Sequence, residues 1–92
     1  MSPVRLHTWY YTYLLQSEKT KTWYTGTTAN LMKRVHDHNQ GLVQSTRTLR
    51  PLKLMCFEAC RDRNAAYRRE RYLKSGMGKR YLRNRLNGSL TG

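Results

Sequence analysis

The chain has 92 residues, which is enough for one small domain with a modest core and too few for a second. Lysine and arginine number 18 against 5 acidic residues, so the formal net charge is +13, and such a charge attracts polyanions such as nucleic acids. No apolar run is long enough to span a membrane, and the N-terminus lacks the apolar segment of a secretory signal. We therefore expect one domain over residues 1–92, with its core at about 9–86, in a cytoplasmic protein. The two cysteines lack the further ligands of a structural zinc site, which favours reduced thiols.

The first two elements are predicted to form a β-hairpin. Residues 9–15 and 21–26 are rich in β-forming side chains and flank a polar, turn-like stretch. A register symmetric about that loop pairs Tyr13 with Tyr24, and directly opposed residues project on the same face of a sheet. The sequence therefore predicts two phenol groups side by side, with Gly26 ending the second strand.

A helix is predicted next, over residues 28–39, with Thr28 as its N-cap. Arg34 and His38 are spaced i, i+4, so they share one helical face beside an apolar stripe. Because the helix follows directly on the hairpin, this face can lie over it. The pattern thus brings a fixed cation and an imidazole toward the tyrosine pair.

The remaining elements alternate a strand with helices. We predict a basic loop over residues 40–51, a strand over 52–60, a helix over 63–74 capped by Asp62, and a last short helix over 79–86. Even alternation along the third strand places Leu52, Leu54, Cys56 and Glu58 on one face. The predicted fold is α/β, a small three-stranded, mostly antiparallel sheet flanked by helices in the order β-β-α-β-α-α.

One carboxylate lies on an otherwise apolar helical stripe. Ala66, Glu70 and Leu73 are spaced i, i+4, i+7, which is typical of a core-facing helix surface. Burying an unpaired carboxylate is costly, so Glu70 should meet either a metal ion or a cationic side chain. An ordinary salt bridge to one of the many lysines and arginines remains an alternative.

These parts together have the chemistry of a metal-assisted phosphodiester hydrolase. Mg²⁺ binds readily to one carboxylate plus waters and phosphate oxygens, and it stabilises charge on a phosphodiester. A tyrosine hydroxyl can orient or deprotonate an attacking water if neighbouring cations lower its pKa. An arginine can clamp the phosphate with two parallel hydrogen bonds.

The spacing of these motifs resembles that of the GIY-YIG nuclease superfamily. Tyr11-Thr12-Tyr13 and Tyr24-Thr25-Gly26 stand where the family has its two triplets, NLMKRVHDHN carries Arg34 and His38, and AAYRRERYLKSGMGKR carries Glu70. The chain is most similar to the small single-domain bacterial members, which are related to the N-terminal nuclease module of the bacterial excision-repair endonuclease. The resemblance runs from about residue 9 to residue 82.

The resemblance implies a Mg²⁺-dependent DNA endonuclease that hydrolyses phosphodiester bonds in one step with an activated water, Mn²⁺ being a substitute. Tyr13 would then be the general base or the group that orients the water. Tyr24 and His38 would support that water, Arg34 would stabilise the developing charge on phosphate, and Glu70 would hold the metal ion.

Further positions follow from the same resemblance. Gly26 would leave space beside the site and permit a turn. Tyr11 and Thr12 depart from the Gly and Ile of the first family triplet. A late phosphate-contacting Asn would be Asn84 or Asn87, and the sequence does not decide between them.

DNA is the expected partner, with no membrane and no small-molecule cofactor. The expected DNA-binding surface is basic and comprises Arg47, Arg50, Arg69, Lys79 and Arg80. Two other functions remain open: a non-catalytic basic nucleic-acid-binding module, and an enzyme that uses a tyrosine nucleophile to form a covalent link to DNA.

Overall fold

A three-stranded antiparallel sheet forms the centre of the fold, with the strand order β2-β1-β3. The computed structural model describes residues 8–87; the segment 1–7, on which the expected absence of a secretory signal partly depends, and residues 88–92 lie outside this range. The strands are β1 (Tyr10–Ser17), β2 (Trp23–Thr28) and β3 (Leu52–Cys60), and the helices are α1 (Leu31–Asn39), α2 (Arg63–Lys74) and α3 (Gly76–Arg85). A short 3-10 helix spans Gln44–Leu49 in the predicted basic loop. The predicted fold class and element order are confirmed.

The hairpin register differs from the symmetric one, and that prediction is wrong. Tyr13 lies opposite Gly26, whereas Tyr24 lies opposite Leu15. The difference arises in the turn, where the Ser17 hydroxyl accepts hydrogen bonds from the backbone amides of Lys19 and Thr20, and Lys21 adopts a positive φ of 65°. Strand β2 therefore starts at Trp23 rather than at residue 21. The two tyrosines are diagonal neighbours on one face, with ring centroids 6.4 Å apart.

The start of α1 also lies later than predicted. Strand β2 continues through Gly26 to Thr28, so Thr28 cannot cap the helix. The N-cap is Asn30, whose side-chain oxygen accepts from the backbone N–H of Lys33 at 3.2 Å. The Thr28 hydroxyl instead accepts from the Asn30 backbone N–H at 3.1 Å, which fixes the short link between strand and helix.

A bulge in β3 overturns its predicted even alternation. Leu14 pairs with Cys56 while Leu15 pairs with Leu54, so one extra residue, Met55, stands between the two pairs. Leu54 consequently packs on the face of Tyr13, and Cys56 packs on the opposite face.

Each face of the sheet has its own apolar cluster. The first cluster lies under α1 and contains the buried residues Tyr13, Leu15, Leu31 and Leu52. The second lies under α2 and α3 and contains the buried residues Leu14, Leu73, Leu82 and Leu86. Helices α1 and α2 therefore approach the sheet from opposite sides.

Helix α3 begins three residues earlier than predicted, because Ser75 caps it. The Ser75 hydroxyl accepts from the Gly78 backbone N–H, and Gly78 packs so closely on the Tyr72 carbonyl that no side chain fits there. None of the helices within residues 8–87 has both the length and the hydropathy that crossing a membrane requires.

Candidate active site

A buried chain of hydrogen bonds joins β1 to α1 and to the 3-10 helix. The Tyr13 hydroxyl lies 2.8 Å from His38 Nε2, and Thr46 Oγ1 lies 2.7 Å from His38 Nδ1. The Thr46 hydroxyl lies 3.5 Å from the Val43 carbonyl, and we assign its proton to that acceptor, so that His38 Nδ1 carries the ring proton and donates to Thr46. Nε2 is then the acceptor of the Tyr13 hydroxyl. The three side chains are at most 1% exposed, so this chain fixes the ring and its tautomer.

Tyr24 completes an aromatic cluster around the imidazole. Its ring centroid lies 5.0 Å from that of His38, and the Tyr13 centroid lies 5.7 Å from the same ring. Tyr24 is only partly buried, whereas the other two rings are buried. Tyr24 is therefore the member of the cluster that reaches the surface.

Burial sets the protonation of this cluster. Burial raises the pKa of Tyr13 to about 12, although the neighbouring Arg34 guanidinium acts to lower it. Burial and the Arg34 charge together lower the pKa of His38 to about 4. A phenolate base would need a lowered tyrosine pKa. The pKa of Tyr13 is raised instead, because the effect of burial is larger than that of the nearby Arg34 charge. At neutral pH the pair is a neutral donor and a neutral acceptor.

Glu70 lies on the opposite face of the sheet, at the edge strand β2. Its Oε1 accepts from the Thr27 hydroxyl at 2.5 Å, and its Oε2 pairs with Lys74 Nζ at 2.7 Å. The salt bridge left open by the sequence therefore exists, and it is made within the same helix. The negative charge of the Glu70 carboxylate also contributes to raising the pKa of Tyr13. The predicted residues thus gather around β2, with Glu70 on one side and the aromatic cluster on the other.

Gly26 is the point of β2 over which Tyr13 passes. A Cβ at residue 26 would lie 2.5 Å from the Tyr13 hydroxyl oxygen and 2.6 Å from its Cζ. Among residues 8–87 the glycine with a positive φ is Gly41, so Gly26 supplies space and the predicted turn role is wrong. The missing side chain lets the tyrosine hydroxyl reach the sheet edge.

Comparison with known proteins identifies the family. The sequence model of the GIY-YIG catalytic domain matches residues 9–87. The chain belongs to the GIY-YIG family. This membership supports a nuclease activity directed at DNA.

Several relatives of this GIY-YIG domain carry the name UPF0213 protein. The one from Clostridium perfringens is 42% identical over 65 residues, which are 70% of this chain and 69% of that protein. The one from Desulfotalea psychrophila is 42% identical over 55 residues, which are 58% of this chain and only half of that protein. The solution NMR structure of the UPF0213 protein from Bacillus halodurans is 30% identical, with a TM-score of 0.50 over 80% of this chain and 81% of that one.

The donor set around Glu70 suits a hard cation that keeps most of its water. Within the described part of this GIY-YIG domain, no three His, Cys, Asp or Glu side chains converge. The Glu70 side chain is 19% exposed, and the Thr27 hydroxyl lies beside its carboxylate. One carboxylate with waters and phosphate oxygens is a usual environment for Mg²⁺, so these residues fit that ion.

The expected DNA-binding residues of the GIY-YIG domain do not form one patch. Lys79 lines a cleft with Tyr24 and Lys74, close to the site. Arg47 and Arg50 are exposed on the far side of His38, where both donate to backbone carbonyls. Arg80 is exposed on α3.

Arg69 is placed differently from the other basic residues. Its guanidinium makes two hydrogen bonds to Glu58, at 2.8 and 3.0 Å, and contacts the rings of Tyr72 and Tyr81. This arrangement ties α2 to β3 and to α3. The positive charge is compensated by a carboxylate, so little of it remains for a phosphate.

Sequence reasoning missed three side chains of the site, namely Thr27, Thr46 and Lys74. Thr27 and Lys74 hold the Glu70 carboxylate, and Thr46 holds the His38 ring. The i, i+4 spacing of Glu70 and Lys74 could have revealed their pairing. Nothing in the polar stretch around Thr46 marks it as buried. Asn84 and Asn87 are both exposed in the structure.

Proposed function

We propose that this protein is a Mg²⁺-dependent DNA endonuclease that hydrolyses the phosphodiester bond with an activated water. The observation that carries the proposal is the 2.8 Å hydrogen bond between the Tyr13 hydroxyl and His38 Nε2, beside Arg34 and across the sheet edge from Glu70. A cytoplasmic location and a role in DNA repair are further predictions.

Tyr13 and His38 activate the water as a relay. The Tyr13 hydroxyl donates its proton to His38 Nε2, and the Arg34 guanidinium is within hydrogen-bonding reach of the same oxygen and takes one of its lone pairs. The other lone pair is the one that would accept from a water at the sheet edge. When that water loses a proton to the Tyr13 oxygen, the original hydroxyl proton passes to Nε2. This route avoids a phenolate, which a pKa of about 12 disfavours. His38 is the final acceptor, and Thr46 keeps its other nitrogen oriented.

Arg34 couples substrate binding to this relay. Its positive charge contributes to lowering the pKa of His38. A phosphodiester that accepts two parallel hydrogen bonds from the guanidinium neutralises that charge, which makes His38 a better proton acceptor. The same hydrogen bonds stabilise the charge that develops on the phosphate oxygens.

Glu70 is the residue that would hold the metal ion. When bound, Mg²⁺ supplies charge stabilisation on the phosphodiester and on the leaving oxygen. The Thr27 hydroxyl keeps the Glu70 carboxylate in orientation, and Lys74, whose side chain is 52% exposed, can withdraw into solvent.

The test is cleavage of labelled single-stranded, duplex and branched DNA by the purified protein, with Mg²⁺, with Mn²⁺ and with EDTA. We expect cutting that requires the metal, and loss of cutting in Glu70→Gln and Arg34→Ala with unchanged thermal melting. Glu18→Gln is the matched control, because Glu18 is exposed in the hairpin turn.

Three results would contradict the proposal. Full activity of Glu70→Gln at matched metal would remove the assigned role of the carboxylate. Tight binding without any cutting would favour a non-catalytic module. DNA covalently attached to the protein would favour a tyrosine nucleophile.

A further inference from the structure

Two adjoining clefts follow the edge strand β2 away from the candidate site. The first has a volume of about 340 Å³ and begins at Tyr24 and Lys74. The second, of about 410 Å³, continues to Lys21 in the hairpin turn and to Arg83 on α3. Both are lined by Trp23 and Lys79, so they form one continuous surface. We call it the β2 cleft, defined by Lys21, Trp23, Tyr24, Lys74, Lys79 and Arg83.

The β2 cleft is positively charged along its whole length. Its cations come from three elements, and Lys79 and Arg83 share one face of α3 because they are spaced i, i+4. Within residues 8–87, no acidic side chain lines either of the two clefts. Lys21, Lys79 and Arg83 form no ion pair with any carboxylate of the described chain. Their charges are uncompensated, unlike that of Arg69.

Position separates this surface from other basic parts of the molecule. Tyr24 belongs both to the cluster around His38 and to the cleft wall. Lys74 links the cleft to Glu70 through its 2.7 Å ion pair. Tyr24 is therefore the residue at which a strand bound at the candidate site would enter the β2 cleft.

The wall of the cleft adds an aromatic surface to the cations. Trp23 is partly buried and packs against the cluster around Leu14, which holds its ring in place. A groove that combines a fixed aromatic ring with a row of cations is typical of proteins that bind a nucleic-acid strand through its backbone.

We propose that the β2 cleft binds the sugar-phosphate backbone of the substrate strand on one side of the bond to be cut. Lys79 and Arg83 are its main phosphate contacts, and binding there is independent of base sequence. The proposal rests on the proposed function, because it takes the strand at the cleft to be the strand that is cut.

The test is the salt dependence of DNA binding, measured in EDTA by fluorescence anisotropy, so that no cleavage is needed. We expect Lys79→Gln/Arg83→Gln to weaken binding about tenfold at physiological salt, and to reduce the slope of log K against log[salt] by about 2. Lys53→Gln/Arg68→Gln is the matched control, because it removes one exposed Lys and one exposed Arg outside the cleft. Lys21→Asn should reduce the slope by about 1, and asparagine tolerates the positive φ of that position.

Equal changes in affinity and slope for the cleft variant and its control would overturn the proposal. This failure is distinguishable from failure of the proposed function. If the wild-type protein cuts DNA and the two double variants bind DNA equally well, only the role of the β2 cleft is rejected. If the wild-type protein binds DNA through the cleft but does not cut it, the proposed endonuclease activity is rejected.

Discussion

Tyr13 and Gly26 face each other across the β1–β2 pairing, and the Tyr13 hydroxyl occupies the space that a Cβ at residue 26 would need. The first prediction follows from this contact. Gly26→Ala should displace the tyrosine ring, lengthen its 2.8 Å hydrogen bond to His38, and reduce the cleavage rate at least tenfold. Crowding of this kind costs about 1–3 kcal/mol of unfolding free energy, which urea denaturation will measure.

Gly76→Ala is the control for that substitution. Apart from its neighbours in the chain and the backbone of its own helix, no atom lies within 4 Å of a Cβ built at Gly76, which begins α3. We expect wild-type cleavage and unchanged or slightly higher stability. Similar activity of the two alanine variants would show that the space beside Tyr13 is unimportant.

Thr46 should act on the reaction through the His38 ring. Thr46→Val removes the partner of Nδ1 and leaves a buried N–H unsatisfied, so we expect a loss of stability of about 1–3 kcal/mol. We also expect a lower kcat with little change in KM. Thr46→Ser keeps a hydroxyl partner for Nδ1, so it should restore both the stability and the kcat. The ¹⁵N chemical shifts of His38 will report the tautomer. An unchanged tautomer together with a wild-type kcat in the valine variant would reject this role.

The pH dependence of stability should show the burial of His38. Its pKa is about 4 in the folded protein against an ordinary 6.5, so the unfolded chain binds the proton more readily. The stability that depends on a neutral His38 is therefore fully present above pH 6.5 and is lost as the pH drops toward 4. In total this lowers the free energy of unfolding by about 3 kcal/mol. Urea denaturation between pH 4 and 8 will measure it. In His38→Gln this part of the pH dependence should be absent, and an identical profile in both proteins would contradict the prediction.

Lys74 should compete with a divalent cation for Glu70. Lys74→Gln removes the 2.7 Å ion pair, so we expect Mn²⁺ to bind several-fold more tightly, as measured by calorimetry without DNA. Lys33→Gln is the control, because Lys33 pairs with Asp37 at the same i, i+4 spacing on α1, with a distance of 2.8 Å. If both variants bind Mn²⁺ like the wild type, the Lys74 ammonium does not compete at this site.

The parts of the fold that the sequence predicted are those set by local chemistry. Strand β3 and helix α2 have the predicted bounds, because Asp62 separates an apolar run from a helical one and caps the helix. The hairpin register depends on the backbone of Lys21, whose positive φ is rare for a lysine, and the bulge at Met55 leaves no mark in the residue types.

The candidate site follows the same division. The sequence alone showed the i, i+4 spacing of Arg34 and His38, and it showed the single acidic residue, Glu70, on an apolar helical stripe. Thr46 was not, because its burial depends on how the 3-10 helix folds back onto α1. The condition that neighbouring cations lower the pKa of Tyr13 is not met, because burial outweighs the Arg34 charge, and burial is a property of the packed structure.

Strand β2 is an outer strand of the sheet, and the candidate site surrounds it. Its outward backbone groups could accept a further strand from a neighbouring molecule, as exposed sheet edges do when proteins aggregate. Such an addition would cover Tyr24 and the Glu70 carboxylate. The uncompensated lysines and arginines of the β2 cleft therefore have a second consequence, because positive charges on two copies of the protein repel each other and oppose pairing at this sheet edge. Neutralising these residues should lower both the solubility of the protein and the rate of cleavage.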